Sequence, residues 1–294
     1  MDALTIRHRT AYRYSRPVTL QPHRLVIRPR ESRELRLVAF DVRISPVASV
    51  AWSYDVSGNA IAMATFRDAA DQLVIESVAD IELDATAWPV FDIAASAISY
   101  PFPYSDDERA DLGSSTLNQH LDPAGRVRAW ARGFVFGRPT DTLSLLKDVN
   151  AGVWSGVAYE IREDEGTQSP LETLDRKRGS CRDLATLFAE TVRSLGFGAR
   201  VVSGYLHDPG LGLTGSAGAG STHAWSEVYV PGAGWITFDP TNQSVGGANL
   251  IPVAVARDVR QIMPVSGSYV GSVDAFSGMS VDVSVASTTS VSGP

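Results

Sequence analysis

Gly179-Ser180-Cys181-Arg182-Asp183-Leu184-Ala185-Thr186-Leu187-Phe188 opens the stretch on which the reading of the fold turns. From there Leu184, Leu187, Phe188, Thr191, Val192 and Leu195 sit at i, i+3, i+4, i+7, i+8 and i+11, one apolar stripe of a helix, and Gly196 follows as its stop. Residues 199–206 then read as a strand. A Gly/Ser-rich loop over 209–221 leads into a second strand at 222–230. A turn at Gly232-Ala233-Gly234 sends the chain back along 235–238. Helices followed by an antiparallel sheet make this half of the chain α+β.

Upstream of Gly179, Ser169-Pro170-Leu171-Glu172 combines a cap, a proline at the first helical position and a glutamate at the third, the start of a short helix. Val127, Trp130, Ala131 and Phe134 predict another helix, and Leu143, Leu146, Val149 and Val153 a third, with Gly152 as a weak point. Before them the period changes to two. Leu4, Ile6, His8, Thr10, Tyr12 and Tyr14 share one parity, and Arg7, Arg9 and Arg13 lie on the other. Alternation recurs at Val38–Ile44, Val50–Tyr54 and Leu73–Leu83, with a turn at Ser57-Gly58-Asn59. Short alternating runs between turns predict an antiparallel, sandwich-like β-domain, ending in the Pro/Ser/Asp-rich linker at 100–107. The expected organisation is a β-domain at 1–104, an α+β core at 105–265 and a C-terminal extension at 266–294. In that extension Val281, Val283 and Val285 alternate.

Composition bounds the rest. The 294 residues carry 26 Lys+Arg and 33 Asp+Glu, a net charge of −7, with 44% hydrophobic and 20% charged residues, an ordinary globular balance. Nine arginines against three acids fall in residues 1–36. Because they alternate instead of clustering, they read as the wet face of a strand and not as a nucleic-acid patch. No apolar run approaches the roughly 18 residues of a membrane span, and the first residues have no apolar leader core. A cytoplasmic protein with no membrane or nucleic-acid partner is the expectation. The single cysteine, Cys181, excludes an intrachain disulfide and a Cys-based zinc cage. No histidine or acidic spacing predicts a metal site, and no cofactor motif is present.

Cys181 falls in the first turn of the clearest helix, where backbone N–H groups and the helix dipole favour an anion, and a thiolate is cysteine's reactive form. A buried, inert cysteine is the competing reading. A nucleophile needs a base, and the base an orienter. Of the five histidines, His223 stands at the start of a strand beside the Gly-rich loop. Asp239, sixteen residues on, returns alongside it through the 230–235 hairpin. Asp239 as a mere cap of the Pro240-Thr241-Asn242 turn is the alternative there. For an oxyanion, the Cys181 N–H is the first donor, with Tyr159 or Trp154 as candidates for a second.

These motifs, with Gly234-Trp235-Ile236-Thr237-Phe238-Asp239-Pro240-Thr241-Asn242 and the arginine- and tyrosine-bearing start His8-Arg9-Thr10-Ala11-Tyr12-Arg13-Tyr14, closely resemble the bacterial transglutaminase-like superfamily. The resemblance implies a papain-like core behind the family's N-terminal β-domain. It also implies a triad of Cys181 as nucleophile, His223 as general base and acid, and Asp239 as orienter. The implied activity is acyl transfer through an acyl-cysteine, as amide hydrolysis or transamidation, on a protein, peptide or small amide substrate. A non-catalytic binding module or scaffold of the same fold is the alternative, one that loss of a triad member would have favoured.

Overall fold

The computed structural model describes residues 2–162, 166–207 and 222–287. Its first sheet is organised by β1 (Asp2–Leu20), in which Leu4, Ile6, His8 and Thr10 are buried while Arg7 is exposed, as the period-two pattern requires. β6 (Ala70–Leu83) pairs antiparallel on one side of β1, and β3 (Leu35–Ser45) lies beyond β6. The second sheet is made of β2 (His23–Leu25), β4 (Ala48–Tyr54), β5 (Ala60–Phe66) and, from the far end of the chain, β16 (Val265–Ser266), in the order β16-β2-β5-β4. Tyr14, Val18, Leu25, Ile27, Ala62, Leu73 and Ile75 pack between the two sheets. Two arginines of this region are tied down by acids, Arg9 to Glu76 at 3.0 Å and Arg16 to Asp274 at 3.1 Å.

The segment set apart in sequence as a C-terminal extension is part of this domain. After β16 (Val265–Ser266) and β17 (Tyr269–Val270), β18 (Phe276–Ser287) runs along β1 from Leu4↔Ser287 to Tyr14↔Phe276. The physical reason is that β1, with its second ladder otherwise unpaired, offers a row of backbone groups that only another strand satisfies.

Between the sheets and the core, β7 (Ser99–Tyr100) pairs with β8 (Thr140–Asp141), bracketing α1 (Asp106–Leu112) and α2 (Arg126–Arg132). α3 (Thr142–Gly156) keeps Gly152 for packing: a Cβ there would lie 2.3 Å from the Phe134 ring. β9 (Ala158–Tyr159) precedes α4 (Pro170–Arg176), whose Ser169–Glu172 capping box is formed. β10 (Arg178–Gly179) pairs in parallel with β9 and leads directly into α5 (Cys181–Ser194).

α5 is buried along almost its whole length and packs on an antiparallel sheet of β11 (Gly198–Leu206), β12 (Thr222–Val230), β13 (Gly234–Asp239), β14 (Ser244–Val245) and β15 (Leu250–Ala256), in the order β14-β13-β12-β11-β15. Leu184, Leu187, Phe188 and Val192 meet Val228, Ile236 and Phe238 in one apolar cluster, which continues into Leu4, Ile6 and Ile81 of the first sheet. The β-domain and the α+β core therefore share a core. Polar pins cross the same boundary: the Asn59 side-chain amide donates to Val255 O at 2.8 Å and accepts from Val255 N at 2.9 Å. The Asp55-to-Asn59 turn is in turn held by the Asp55 carboxylate.

Candidate active site

Cys181 is the first residue of α5, and its surroundings are built to hold that turn still. Asp183, the third residue, accepts from the Ser180 backbone N–H and hydroxyl, both at 2.8 Å, closing a capping box. Its other oxygen accepts from the Gln168 N–H at 2.7 Å. Arg162 donates to both oxygens at 3.2 Å from outside the helix. Gly179 is needed at the approach, since a Cβ there would lie 2.9 Å from that of Asp183. The parallel β9–β10 ladder sets Tyr159 opposite Gly179. The thiol, 9% exposed, lies among Tyr159, Ala185 and Ala224.

His223 comes from the opposite side, at the beginning of β12, where it faces Gly204 of β11. Its ring stacks on Trp225, with centroids 6.0 Å apart at 29°. Trp225 is itself clamped among Val202, Leu206, Leu250 and Val255. Gly204 leaves room for this: a Cβ on it would lie 2.6 Å from the Trp225 ring and 2.1 Å from Ile251 O. The β12–β13 ladder, with Ser226 opposite Phe238, carries Asp239 diagonally back to His223. The result is a hydrogen bond of 2.8 Å between His223 Nε2 and Asp239 Oδ2, with side-chain exposures of 0% and 1%.

Asp239 also serves its own turn. Its Oδ1 accepts from the Thr241 N–H at 2.9 Å, and Oδ2 accepts from Asn242 Nδ2 at 2.8 Å. The two sequence readings of this residue, turn cap and imidazole partner, thus hold together. Asn242 was not singled out from sequence as a partner of the site, although an asparagine three residues after the aspartate, in a tight turn, was the available signal.

The electrostatics follow from burial and pairing. Burial alone would depress the His223 imidazole, but the Asp239 charge and hydrogen bond, then the Cys181 thiol, raise it to about 10. Burial likewise pushes the Asp239 carboxyl up, and the His223 charge and hydrogen bond, with Asn242 and Thr241, bring it below its ordinary value. With Nε2 committed to Asp239, Nδ1 is the ring nitrogen left for the thiol. It is buried and closes no hydrogen bond of regular geometry. Burial and then the nearby Cys181 raise the Tyr159 phenol, which Arg182 partly opposes.

The structure therefore brings Cys181, His223 and Asp239 together and adds Tyr159 beside the thiol. Trp154 stands 49% exposed on α3. Three of the other histidines are engaged elsewhere. His8 bonds Tyr205 and Thr10 at 2.9 Å, and burial lowers it to about 4. His23 bonds Gln21 O, and His120 lies beside Glu190. The Gly/Ser-rich loop at 209–221 lies outside the described residues. Among the described residues no cluster of three or more His, Cys, Asp or Glu side chains is arranged to hold a metal ion.

Known proteins match the two parts of this chain. Residues 4–82 match the bacterial transglutaminase-like N-terminal region, and residues 128–240 match the transglutaminase-like superfamily core. An uncharacterised protein of Mycobacterium tuberculosis is 29% identical over 294 residues, covering 95% of this chain and 91% of its own length. One from Mycobacterium leprae is 25% identical over 287 residues, covering 92% and 94%. Among solved structures, a candidate cysteine protease from Cytophaga hutchinsonii has the same fold, with a TM-score of 0.72 at 18% identity over 98% of this chain and 92% of that one. With both regions matched in order and the fold shared from end to end, the chain belongs to the transglutaminase-like superfamily, carrying the bacterial N-terminal region ahead of the core.

Proposed function

We propose that the protein is a cysteine-dependent acyl-transfer enzyme acting on an amide through an acyl-cysteine intermediate. The observation that carries this reading is the buried His223–Asp239 pair, 2.8 Å long, set against the only thiol of the chain at a helix N-terminus. In this reading His223 Nδ1 takes the thiol proton, and the sulfur attacks the amide carbonyl. The oxyanion is met by the Cys181 N–H and the Tyr159 hydroxyl. The imidazolium gives its proton to the departing amine as the C–N bond breaks. Water or a second amine then attacks the thioester, His223 takes the incoming proton, and the C–S bond breaks. Asp239 keeps Nε2–H fixed throughout, so that the acid and base work stays on the nitrogen facing the sulfur. Water as acceptor makes a peptidase or amidase, and an amine makes a transamidase.

The test is alkylation by iodoacetamide across pH, on the native protein and on His223→Ala. Rapid alkylation of Cys181 with a pH profile that changes in the variant supports the reading. An ordinary thiol rate, or a profile indifferent to His223, overturns it. Peptide-amide and γ-glutamyl substrates, with and without added amine, then separate hydrolysis from transamidation by product mass.

A further inference from the structure

Among the described residues, the two sheets of the β-domain end on the same side in strands with one partner each: β3 bonds only to β6, and β4 only to β5. Between these two edges the sandwich gapes in a groove of about 530 Å³ lined by Val38, Phe40, Val42, Trp52 and Tyr54, with Phe40 edge-on to Trp52 at 5.9 Å. Val38, Trp52 and Tyr54 remain 53%, 44% and 71% exposed. An open edge beside exposed aromatics is the kind of surface that another strand covers.

The pattern of β3 names the occupant. Phe40, Val42 and Ile44 point into the sandwich, while Ala39, Asp41, Arg43 and Ser45 are exposed on its outer face. If two copies of β3 pair antiparallel about a two-fold axis through Val42, Asp41 falls opposite the partner's Arg43, and Arg43 opposite the partner's Asp41. On the inner face Phe40 meets the partner's Ile44, and the two Val42 side chains meet on the axis. Both kinds of cross-strand pair are favourable. A shift of the axis to residue 41 or 43 sets two aspartates or two arginines face to face, and a half-step shift swaps the faces. Of the registers centred from residue 41 to residue 43, only the one on Val42 sets opposite charges together and keeps the apolar face apolar. Edges that must stay single carry charges of one sign, which repel a second copy. Here opposite charges two residues apart attract it. Within one chain the Arg43–Asp41 contact of 3.1 Å is between side chains 82% and 63% exposed, so it adds little to the fold.

We infer that β3 is a dimerisation edge: two copies of this chain join through residues 39–45 into one continuous sheet, with their aromatic grooves facing each other across the axis. This goes beyond the acyl-transfer reading and does not depend on it.

Sedimentation velocity and light scattering on the full chain test it. The native protein should sediment at twice the 31.5 kDa of one chain. Asp41→Arg, which sets arginine against arginine twice per dimer, should weaken association by about tenfold or more. The swap Asp41→Arg with Arg43→Asp should restore it to near the native value. Both positions are solvent-exposed on a strand that supplies no residue of the site, so Cys181 alkylation serves as the control for folding. A native monomer at the highest soluble concentration overturns the inference. So does a dimer indifferent to Asp41→Arg, or one that the swap fails to rescue.

Discussion

Asp239→Asn keeps the shape of the side chain and removes its charge. In the native protein the carboxylate accepts from His223 Nε2 at 2.8 Å in a site with almost no solvent. It is the main reason, against burial, that the imidazole rises from 6.5 to about 10. That rise favours the imidazolium. Removing one partner of a buried pair predicts a loss of about 3–5 kcal/mol. With asparagine, Oδ1 keeps the Thr241 N–H and an NH₂ turns towards both His223 Nε2 and Asn242 Nδ2. Two donors then face each other, and Nε2 can only accept. The imidazole becomes neutral, with its proton on Nδ1, the tautomer that cannot take a proton from the thiol. Turnover should fall by about 10²-fold or more, and alkylation of Cys181 near neutral pH should slow and lose the native pH dependence. Stability carries the same signature. The raised His223 contributes fully below 6.5, and its contribution is lost as pH rises through about 10. On the acid side, the depressed Asp239 carboxyl contributes until pH falls through its lowered folded value. The Tm gap between native protein and variant should therefore be wide at neutral pH and close in strong alkali. Equal turnover, an unchanged alkylation profile and a pH-independent Tm gap would refute the role of the pair.

Three further outcomes follow from the geometry. Tyr159→Phe removes the hydroxyl beside the thiol and should lower kcat by about 10²-fold with KM little changed, because an oxyanion donor acts only once the charge develops; an unchanged kcat removes Tyr159 from the mechanism. Gly204→Ala places a methyl 2.1 Å from Ile251 O and under Trp225, so it should destabilise by about 1–3 kcal/mol and loosen the platform behind His223, read as a lower denaturation midpoint together with reduced turnover. Arg162→Gln leaves the Asp183 carboxylate, 0% exposed, without its cation; a loss of about 3–5 kcal/mol is expected in urea unfolding, and a loss below 1 kcal/mol would show that the capping donors alone suffice.

Local order was legible in the residues. The stripe from Leu184 to Leu195, the Ser169–Glu172 box and the alternation of Leu4 to Thr10 each arise from backbone period and capping, which neighbours in sequence determine. The meeting of His223 and Asp239 was legible for the same reason: a short turn between adjacent strands sets the register, and register sets which side chains share a face. What lies far apart in the chain was decided by packing. Nothing around Val281–Val285 says that this strand completes a sheet begun at Leu4, because a strand shows its period and not its partner. Gly152 looked like a weak point in a helix, yet it is set by the Phe134 ring from outside that helix, as Gly204 in β11 is set by the Trp225 ring of β12. Arg162 reaching Asp183, and the cluster joining Leu4 and Ile81 to Phe188, likewise exist only once the chain has closed on itself. Sequence alone determined the elements and the chemistry each could carry; the tertiary structure decided which of them touch, since contact energy depends on distance in space and the amino-acid order records only distance along the chain.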